Sequence, residues 1–236
     1  MTAPSQPTPG VVESVNVGIP RPVEVNGHTA LTAIWKHPVP GRVALRGVNL
    51  EGDDQADRTV HGGPDKAVYA YAREDIHWWE EELGLALGDA PFGENLTVSG
   101  LAVSKAVIGE KWAIGTALLQ VAQPRLPCFK LGLRMGDTRF LKRFATAQRP
   151  GAYLRVLREG DIAAGDQIEV MGRPAHGVTS ALVSRALLGE RWLLEPALAA
   201  EELPQELRAW MQERTGHRPR PTRAPVIAQE SHRPRR

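Results

Sequence analysis

The only cysteine of the chain, Cys128, lies in a stretch whose residue types favour thiolate chemistry: QPRLPCFKL, residues 123–131. Arg125 and Lys130 flank the thiol. Cations beside a cysteine favour the thiolate, which is both the nucleophilic and the metal-binding form of this side chain. We therefore take Cys128 as the candidate catalytic residue and metal ligand. The alternative is a buried, unreactive thiol, a common role of a single cysteine.

A second candidate is the segment His61-Gly62-Gly63, with Lys66 close behind it. Two successive glycines permit positive φ angles, so their backbone N–H groups can converge on an anion. His61 and Lys66 would add two donors. The alternative is a sharp turn that holds a hydrogen-bonded histidine.

Three acidic residues precede this segment, Asp53, Asp54 and Asp57. Carboxylates are ligands for hard cations such as calcium. Because no calcium-loop spacing follows, the sequence favours a solvated acidic loop instead.

The strand before Cys128 should hold it in place. An apolar run, residues 117–121, is typical of a strand. Proline cannot continue a central strand, so Pro124 and Pro127 should end it and stiffen the turn that follows. Cys128 is thus expected in a rigid loop at the end of a strand.

Many short strands are predicted in the remainder of residues 11–174. Asn26-Gly27 between two strand-like flanks predicts a hairpin. Arg73 to Leu83 predicts a helix that ends at Gly84, and Asp137 to Gln148 predicts a second, with Asp137 as its N-cap. Further strands are predicted at residues 11–17, 42–45, 67–71, 109–114 and 165–170. This pattern favours a mainly β protein with added helices, arranged as an antiparallel barrel.

Residues 175–216 read as three short helices, which we interpret as a separate small bundle. Residues 1–10 and 217–236 are predicted to be disordered ends. The last segment holds six arginines and one glutamate, a charge of +5, so the net charge of +2 leaves the preceding residues at −3. No aromatic residue is interleaved with these arginines to stack on bases, so the sequence does not favour a nucleic-acid partner.

Composition excludes several classes of protein. The chain has 236 residues, of which 42% are hydrophobic and 24% charged, as in ordinary globular proteins. One cysteine forms no internal disulfide, and no apolar run reaches the roughly 20 residues of a membrane span. We expect a cytoplasmic protein without a membrane partner. The sequence contains no G-x-G-x-x-G or P-loop motif, so it indicates neither a dinucleotide site nor a P-loop nucleotide site. It also lacks the G-x-S-x-G motif that carries the nucleophile of esterases.

Three blocks, EGDDQADRTVHGGPDKAVYAY, FGENLTVSGL and QVAQPRLPCFKL, resemble the signature blocks of the MOSC domain, named for the C-terminal part of molybdenum cofactor sulfurase. They occur in the order of the family, and the resemblance covers residues 11 to about 171. The helices beyond residue 178 resemble the three-helix domain that follows MOSC in its bacterial YiiM-like branch. The tail beyond Gly216 lies outside the match.

The resemblance implies a MOSC-type β-barrel followed by a small helical bundle, and a site for the molybdenum cofactor (molybdopterin) in which Cys128 is the thiolate ligand of the metal. It also implies contacts to the phosphate and pterin of that cofactor. Glu94 is taken to orient a cation. By their chemistry, the residues assigned to cofactor binding are His61, Gly62, Gly63, Lys66, Asn95, Gln123, Arg125 and Lys130.

The YiiM-like branch implies an activity as well, the reduction of small N-hydroxylated compounds, such as hydroxylaminopurines and amidoximes, to amines. An external reductase would have to donate the electrons, because the sequence shows no flavin or iron–sulfur motif. The alternative is a carrier of sulfur or of the molybdenum cofactor that has no turnover of its own.

Overall fold

The structure is a computed structural model that describes residues 9–25, 27–56 and 62–216. Its strands are β1 Gly10–Val17, β2 Arg21–Val25, β3 His28–Thr32, β4 His37–Pro38, β5 Arg42–Arg46, β6 Asn49–Leu50, β7 Val68–Ala72, β8 Leu96–Ser99, β9 Lys111–Ile114, β10 Ala117–Gln123, β11 Ala152–Arg158, β12 Gly160–Ala163 and β13 Gln167–Gly172. Its α-helices are α1 Arg73–Leu83, α2 Phe129–Met135, α3 Phe140–Ala147, α4 Ser180–Leu188, α5 Leu194–Ala197 and α6 Gln205–Arg214.

Seven strands of the described chain form a closed barrel in the order β13-β9-β10-β11-β7-β8-β1, and β1 pairs with β13 to close it. Six of the seven contacts in this ring are antiparallel, whereas β7 and β8 are parallel. A parallel pair needs a crossover connection, and α1 lies within the connection between β7 and β8. The prediction of a β-barrel with added helices is confirmed.

The strands of the barrel are buried on both faces where they support the site. In β7 the side chains of Val68, Ala70 and Ala72 join the cluster that fills the barrel. The alternating side chains of Tyr69 and Tyr71 point the other way and join a second, aromatic cluster. Successive side chains of a strand face opposite sides, so the second cluster lies against the outer wall of the barrel.

The second cluster packs α1 and α3 onto that wall. Trp79 of α1 lies 4.8 Å, centroid to centroid, from Phe140 of α3, and Phe92 lies 4.3 Å from Tyr71. The layer on the outer face of β7 is therefore built from aromatic rings, which tolerate few alternative arrangements when packed to interior density.

Several predicted elements are confirmed with small shifts at their ends. The hairpin of β2 and β3 forms around Gly27, whose φ of 79° is the left-handed conformation expected there; Asn26 lies outside the described residues. Helix α1 spans the predicted residues and ends at Gly84 in the left-handed conformation. The two predicted strands that follow a Gly-acid pair become β9 and β13, which pair with each other.

The predicted start of α3 is wrong. The helix begins at Phe140, because the Asp137 carboxylate accepts a hydrogen bond from the Arg139 backbone N–H at 2.9 Å and closes a turn before the helix. The sequence interpretation also missed α2, which begins directly after Cys128.

The C-terminal helices form as predicted, although Pro196 lies inside α5. Their buried side chains, among them Val183 and Met211, belong to the same cluster as the interior of the barrel. The domain boundaries stay predictions, and residues 1–8 and 217–236 lie outside the described residues. Among the described helices, none is long and apolar enough to cross a membrane.

Candidate functional site

A cleft that is open to solvent lies against the outer face of β7 and β11. It brings together five of the residues that we assigned to the site, from three distant parts of the chain. They are Lys66, Asn95, Arg125, Cys128 and Lys130. The other lining residues are Thr32, Ala33, Ile34, Lys36, Asp53, Asp54, Gln55, Ala56, Tyr69, Phe92, Gly93, Leu126 and Tyr153.

Cys128 lies at the end of a strand, as predicted. Strand β10 ends at Gln123, and Cys128 follows in an extended conformation as the residue before α2. Only 7% of its surface is exposed, yet the residue lines the cleft. The sequence left two interpretations of Cys128, a reactive thiol and a buried, unreactive one. The thiol is buried, and it also lines a cleft that is open to solvent.

Arg125 is a buried cation with an unused donor. The residue is 5% exposed, and its Nη1 has no hydrogen-bond partner among the described residues. The guanidinium carbon lies 5.5 Å from the ring centroids of both Tyr69 and Phe144. These rings lie beside the guanidinium, but neither of them provides a hydrogen-bond acceptor for Nη1. A buried, unsatisfied charged donor costs free energy unless an anion or acceptor meets it, so the cleft is suited to an anionic ligand.

The loop that contains the double glycine reaches the cleft through its last residue. Gly63 has a φ of 93°, and its carbonyl accepts a hydrogen bond from the Lys66 N–H at 3.0 Å in a short 3₁₀ turn. Lys66 lines the cleft, whereas Gly62 and Gly63 are not among its lining residues. His61 lies outside the described residues.

Gln123 connects this turn to the strand that precedes Cys128. Its Nε2 donates to the carbonyl of Asp65 at 3.4 Å, and Gln123 itself does not line the cleft. In this position Gln123 braces the two segments that carry Lys66 and Cys128, and its assignment to pterin binding stays a prediction.

A buried polar network forms one wall of the cleft, and sequence reasoning missed its centre. Asp53 accepts hydrogen bonds from Lys36 Nζ, from the Gly18 N–H at 2.8 Å and from Asn95 Nδ2 at 2.9 Å. The side-chain oxygen of Asn95, Oδ1, accepts a hydrogen bond from the Tyr69 backbone N–H at 3.1 Å. The expectation of a solvated acidic loop is therefore wrong for Asp53, and Asp57 lies outside the described residues.

The same network constrains Lys36 and Asn95. Burial lowers the pKa of Lys36 below its ordinary value, and the neighbouring Asp53 carboxylate acts in the opposite direction. Asn95 has both ends of its amide engaged by protein groups, since Nδ2 also donates to the Asn16 carbonyl at 3.2 Å. A structural role accounts for Asn95, and its assignment to the pterin stays a prediction.

Asp53→Ala is expected to lower the free energy of unfolding by about 3–5 kcal/mol, because it leaves the Lys36 charge buried without its counterion. The control is Asp161→Ala, which removes an exposed ion pair with Arg46 and should cost less than about 1 kcal/mol. Urea unfolding of both variants, each expressed without cofactor, measures the difference. Equal losses for the two variants would show that the buried network does not hold this wall.

Glu94 lies behind the cleft and is fully buried. Burial raises the pKa of its carboxyl, although hydrogen bonds from the Phe92 N–H at 3.0 Å and from Thr97 Oγ1 at 3.1 Å, together with the charge of Arg125, act against that rise. These bonds fix the turn that brings Phe92 and Gly93 to the cleft. The proposed cation-orienting role of Glu94 fits its electrostatic contact with Arg125.

Sequence reasoning also missed the aromatic side chains of the site, Tyr69, Phe92 and Tyr153. Tyr69 and Tyr153 are paired across β7 and β11, so they lie side by side on one face. Alternation in β7 was visible in the sequence. What the sequence did not show is that both faces of this strand are covered, since that depends on contacts with distant segments.

Comparison with known proteins identifies relatives across most of the chain. Residues 57–169 match the MOSC domain. The chain is 40% identical over 174 residues to protein YflK of Bacillus subtilis, a match covering 74% of this chain and 79% of YflK. The crystal structure of YiiM from Geobacillus stearothermophilus superposes with a TM-score of 0.71 at 30% identity, covering 87% of this chain and 99% of that chain.

A fungal relative carries a functional name. A protein of Gibberella moniliformis named "Reductase" is 35% identical over 177 residues, and the match covers 73% of this chain. It covers only 31% of the fungal protein, so this chain spans about a third of that relative's length.

Proposed function

Because this chain belongs to the MOSC domain family, we propose that its cleft binds the molybdenum cofactor and that the protein reduces small N-hydroxylated compounds to amines. The single observation that carries the proposal is that the Cys128 thiol and the buried Arg125 guanidinium, whose Nη1 has no partner among the described residues, line the same cleft. The name of the fungal relative agrees with a reductive activity.

The residues of the cleft fit this cofactor, which combines a soft metal with anionic groups. Thiolates are preferred ligands of soft metals, and Cys128 would supply one. Arginine binds phosphate through two parallel hydrogen bonds, and Arg125 has a free donor for this contact. Lys66 and Lys130 add positive charge on the lining of the cleft.

When bound, the cofactor supplies two-electron redox chemistry at its metal. The protein has three tasks around it: to hold the metal through Cys128, to compensate the negative charge through Arg125, and to admit the substrate from the open side of the cleft. Reduction of an N–OH group to N–H breaks the N–O bond, consumes two electrons and two protons, and releases water. An external reductase would supply the electrons in the cytoplasm.

The test is to express the chain in hosts with and without cofactor biosynthesis and to measure molybdenum and turnover. We expect stoichiometric molybdenum only in material from the competent host. That material should reduce an amidoxime or a hydroxylaminopurine with reduced viologen as donor, whereas the cofactor-free material should not. Retained molybdenum without reduction of either substrate would contradict the enzymatic role. Transfer of the cofactor to a cofactor-free acceptor enzyme, without turnover, would establish the carrier alternative.

A further inference from the structure

Three tyrosines lie close together beside the cleft, and the hydroxyls of two of them donate to backbone carbonyls. Tyr69 donates its hydroxyl hydrogen to the Pro150 carbonyl at 3.0 Å. Tyr71 donates to the Arg149 carbonyl at 2.8 Å and accepts from the indole N–H of Trp79 at 3.0 Å. Both phenols therefore serve the packing of the aromatic layer and are not available for chemistry.

Tyr153 differs from them in position and surroundings. It lies on β11 opposite Tyr69 on one side and Gln123 on the other, and its ring centroid is 5.1 Å from that of Tyr69. The side chain is partly buried and lines the cleft together with Cys128 and Arg125. Its phenol interacts electrostatically with both of these residues and accepts a hydrogen bond from the Arg125 side chain, which leaves its own O–H as a donor. A phenol thus faces the cavity at the place where the thiol and the guanidinium meet.

The proposed reaction needs a proton at this place. As the N–O bond of the substrate breaks, the two incoming electrons reduce the nitrogen, and the departing oxygen becomes strongly basic. Its conjugate acid is water, whose pKa is well above that of a phenol, so a neutral phenol is the stronger acid and can protonate it. A positioned general acid typically accelerates such a step about 10²- to 10⁴-fold.

We infer that Tyr153 donates the proton that converts the departing oxygen of the N-hydroxylated substrate into water. This inference rests on the proposed function and deepens it, because it assigns the acid of that reaction to a residue of this chain. The O–H bond of Tyr153 breaks as the new O–H bond of the product forms. Solvent, which reaches the open cleft, then returns a proton to the tyrosinate and supplies the second proton to the amine.

The surroundings of Tyr153 suit a proton donor that must stay protonated until the substrate reacts. Burial raises the pKa of the phenol above its ordinary value, while the charge of Arg125 acts against that rise. The group is therefore protonated throughout the physiological range. When the proton leaves, the adjacent guanidinium stabilises the tyrosinate until solvent reprotonates it. The hydroxyls of Tyr69 and Tyr71 donate to backbone carbonyls instead.

The test compares Tyr153→Phe with Tyr71→Phe, which removes the hydroxyl of a tyrosine that does not line the cleft. All proteins are purified with bound cofactor, and four quantities are measured: molybdenum content, the Kd of an amidoxime for the oxidised protein, kcat with reduced viologen, and Tm. For Tyr153→Phe we expect wild-type molybdenum, a Kd within about threefold of wild type, and a kcat lowered about 100-fold or more. Small buffer acids such as imidazolium should restore part of this kcat.

For Tyr71→Phe we expect a kcat within about twofold of wild type and a Tm lowered by about 2–4 °C, because the hydrogen bonds with the Arg149 carbonyl and the Trp79 indole are lost. Unchanged kcat in Tyr153→Phe would overturn the inference. Loss of molybdenum from that variant would overturn it too, since Tyr153 would then be a cofactor contact. A molybdenum-loaded wild type that reduces no N-hydroxylated compound would refute the proposed function, and the inference with it.

Discussion

Cys128→Ser is expected to abolish molybdenum retention and to lower the rate of amidoxime reduction more than about 100-fold. The thiol lines the cleft beside Arg125, and serine offers a hard, protonated oxygen where a soft metal requires a thiolate. The measurement is the molybdenum content of protein purified from a cofactor-competent host, followed by turnover with an artificial electron donor.

Two controls separate this effect from a packing defect. Cys128→Ala removes the ligand without adding a hydroxyl and should lose molybdenum to the same extent. The unfolding free energy of both variants, expressed without cofactor, should stay within about 1 kcal/mol of wild type, because the side chain is small. If Cys128→Ser kept its molybdenum and full activity, the thiolate ligand and the assignment of the site would both be wrong.

Arg125→Met is expected to have opposite effects on stability and on cofactor binding. In cofactor-free protein the change removes a buried cation whose Nη1 is unsatisfied, so the unfolding free energy should equal that of wild type or exceed it by about 1 kcal/mol, after the loss of the contacts with Tyr69, Phe144 and Tyr153. Retention of the cofactor should fall about 10- to 100-fold, because charge-assisted hydrogen bonds to its phosphate are lost.

The matched control is Arg139→Met. Arg139 is exposed and pairs with Asp137 near the start of α3, so its removal should change neither cofactor content nor turnover. Denaturant unfolding of the cofactor-free proteins and molybdenum analysis of the loaded proteins provide the two measurements. A marked loss of stability in cofactor-free Arg125→Met would show that the guanidinium serves the fold and not a ligand.

Local patterns predicted the strand that leads to the thiol and the helix α1, although they missed α2, which follows the thiol. The apolar run before Pro124 and the helix that ends at Gly84 depend on propensities, turns and caps within a few residues, and both formed as expected. The predicted start of α3 was wrong for a local reason as well. Asp137 uses its carboxylate to close a turn with Arg139, an arrangement that competes with helix capping for the same residue type.

The walls of the cleft could not be predicted in the same way. Asp53 appears in the sequence as one of several acidic loop residues, and its burial depends on Lys36 and on Asn95, 42 positions further along the chain. Tyr153 likewise acquires its role only when β11 lies beside β7. Such contacts follow from the closure of the barrel, and hydrophobic periodicity contains no information about which segments meet.

The shared interior of the barrel and the C-terminal helices has a practical consequence. Since side chains as distant as Val12 and Met211 belong to one buried cluster, heating should melt these parts cooperatively in a single transition. A molecule held only by the native cleft then stabilises the whole cooperative unit against heat. Thermal-shift screening of the cofactor-loaded protein with N-hydroxylated compounds would therefore rank ligands without any knowledge of the natural electron donor.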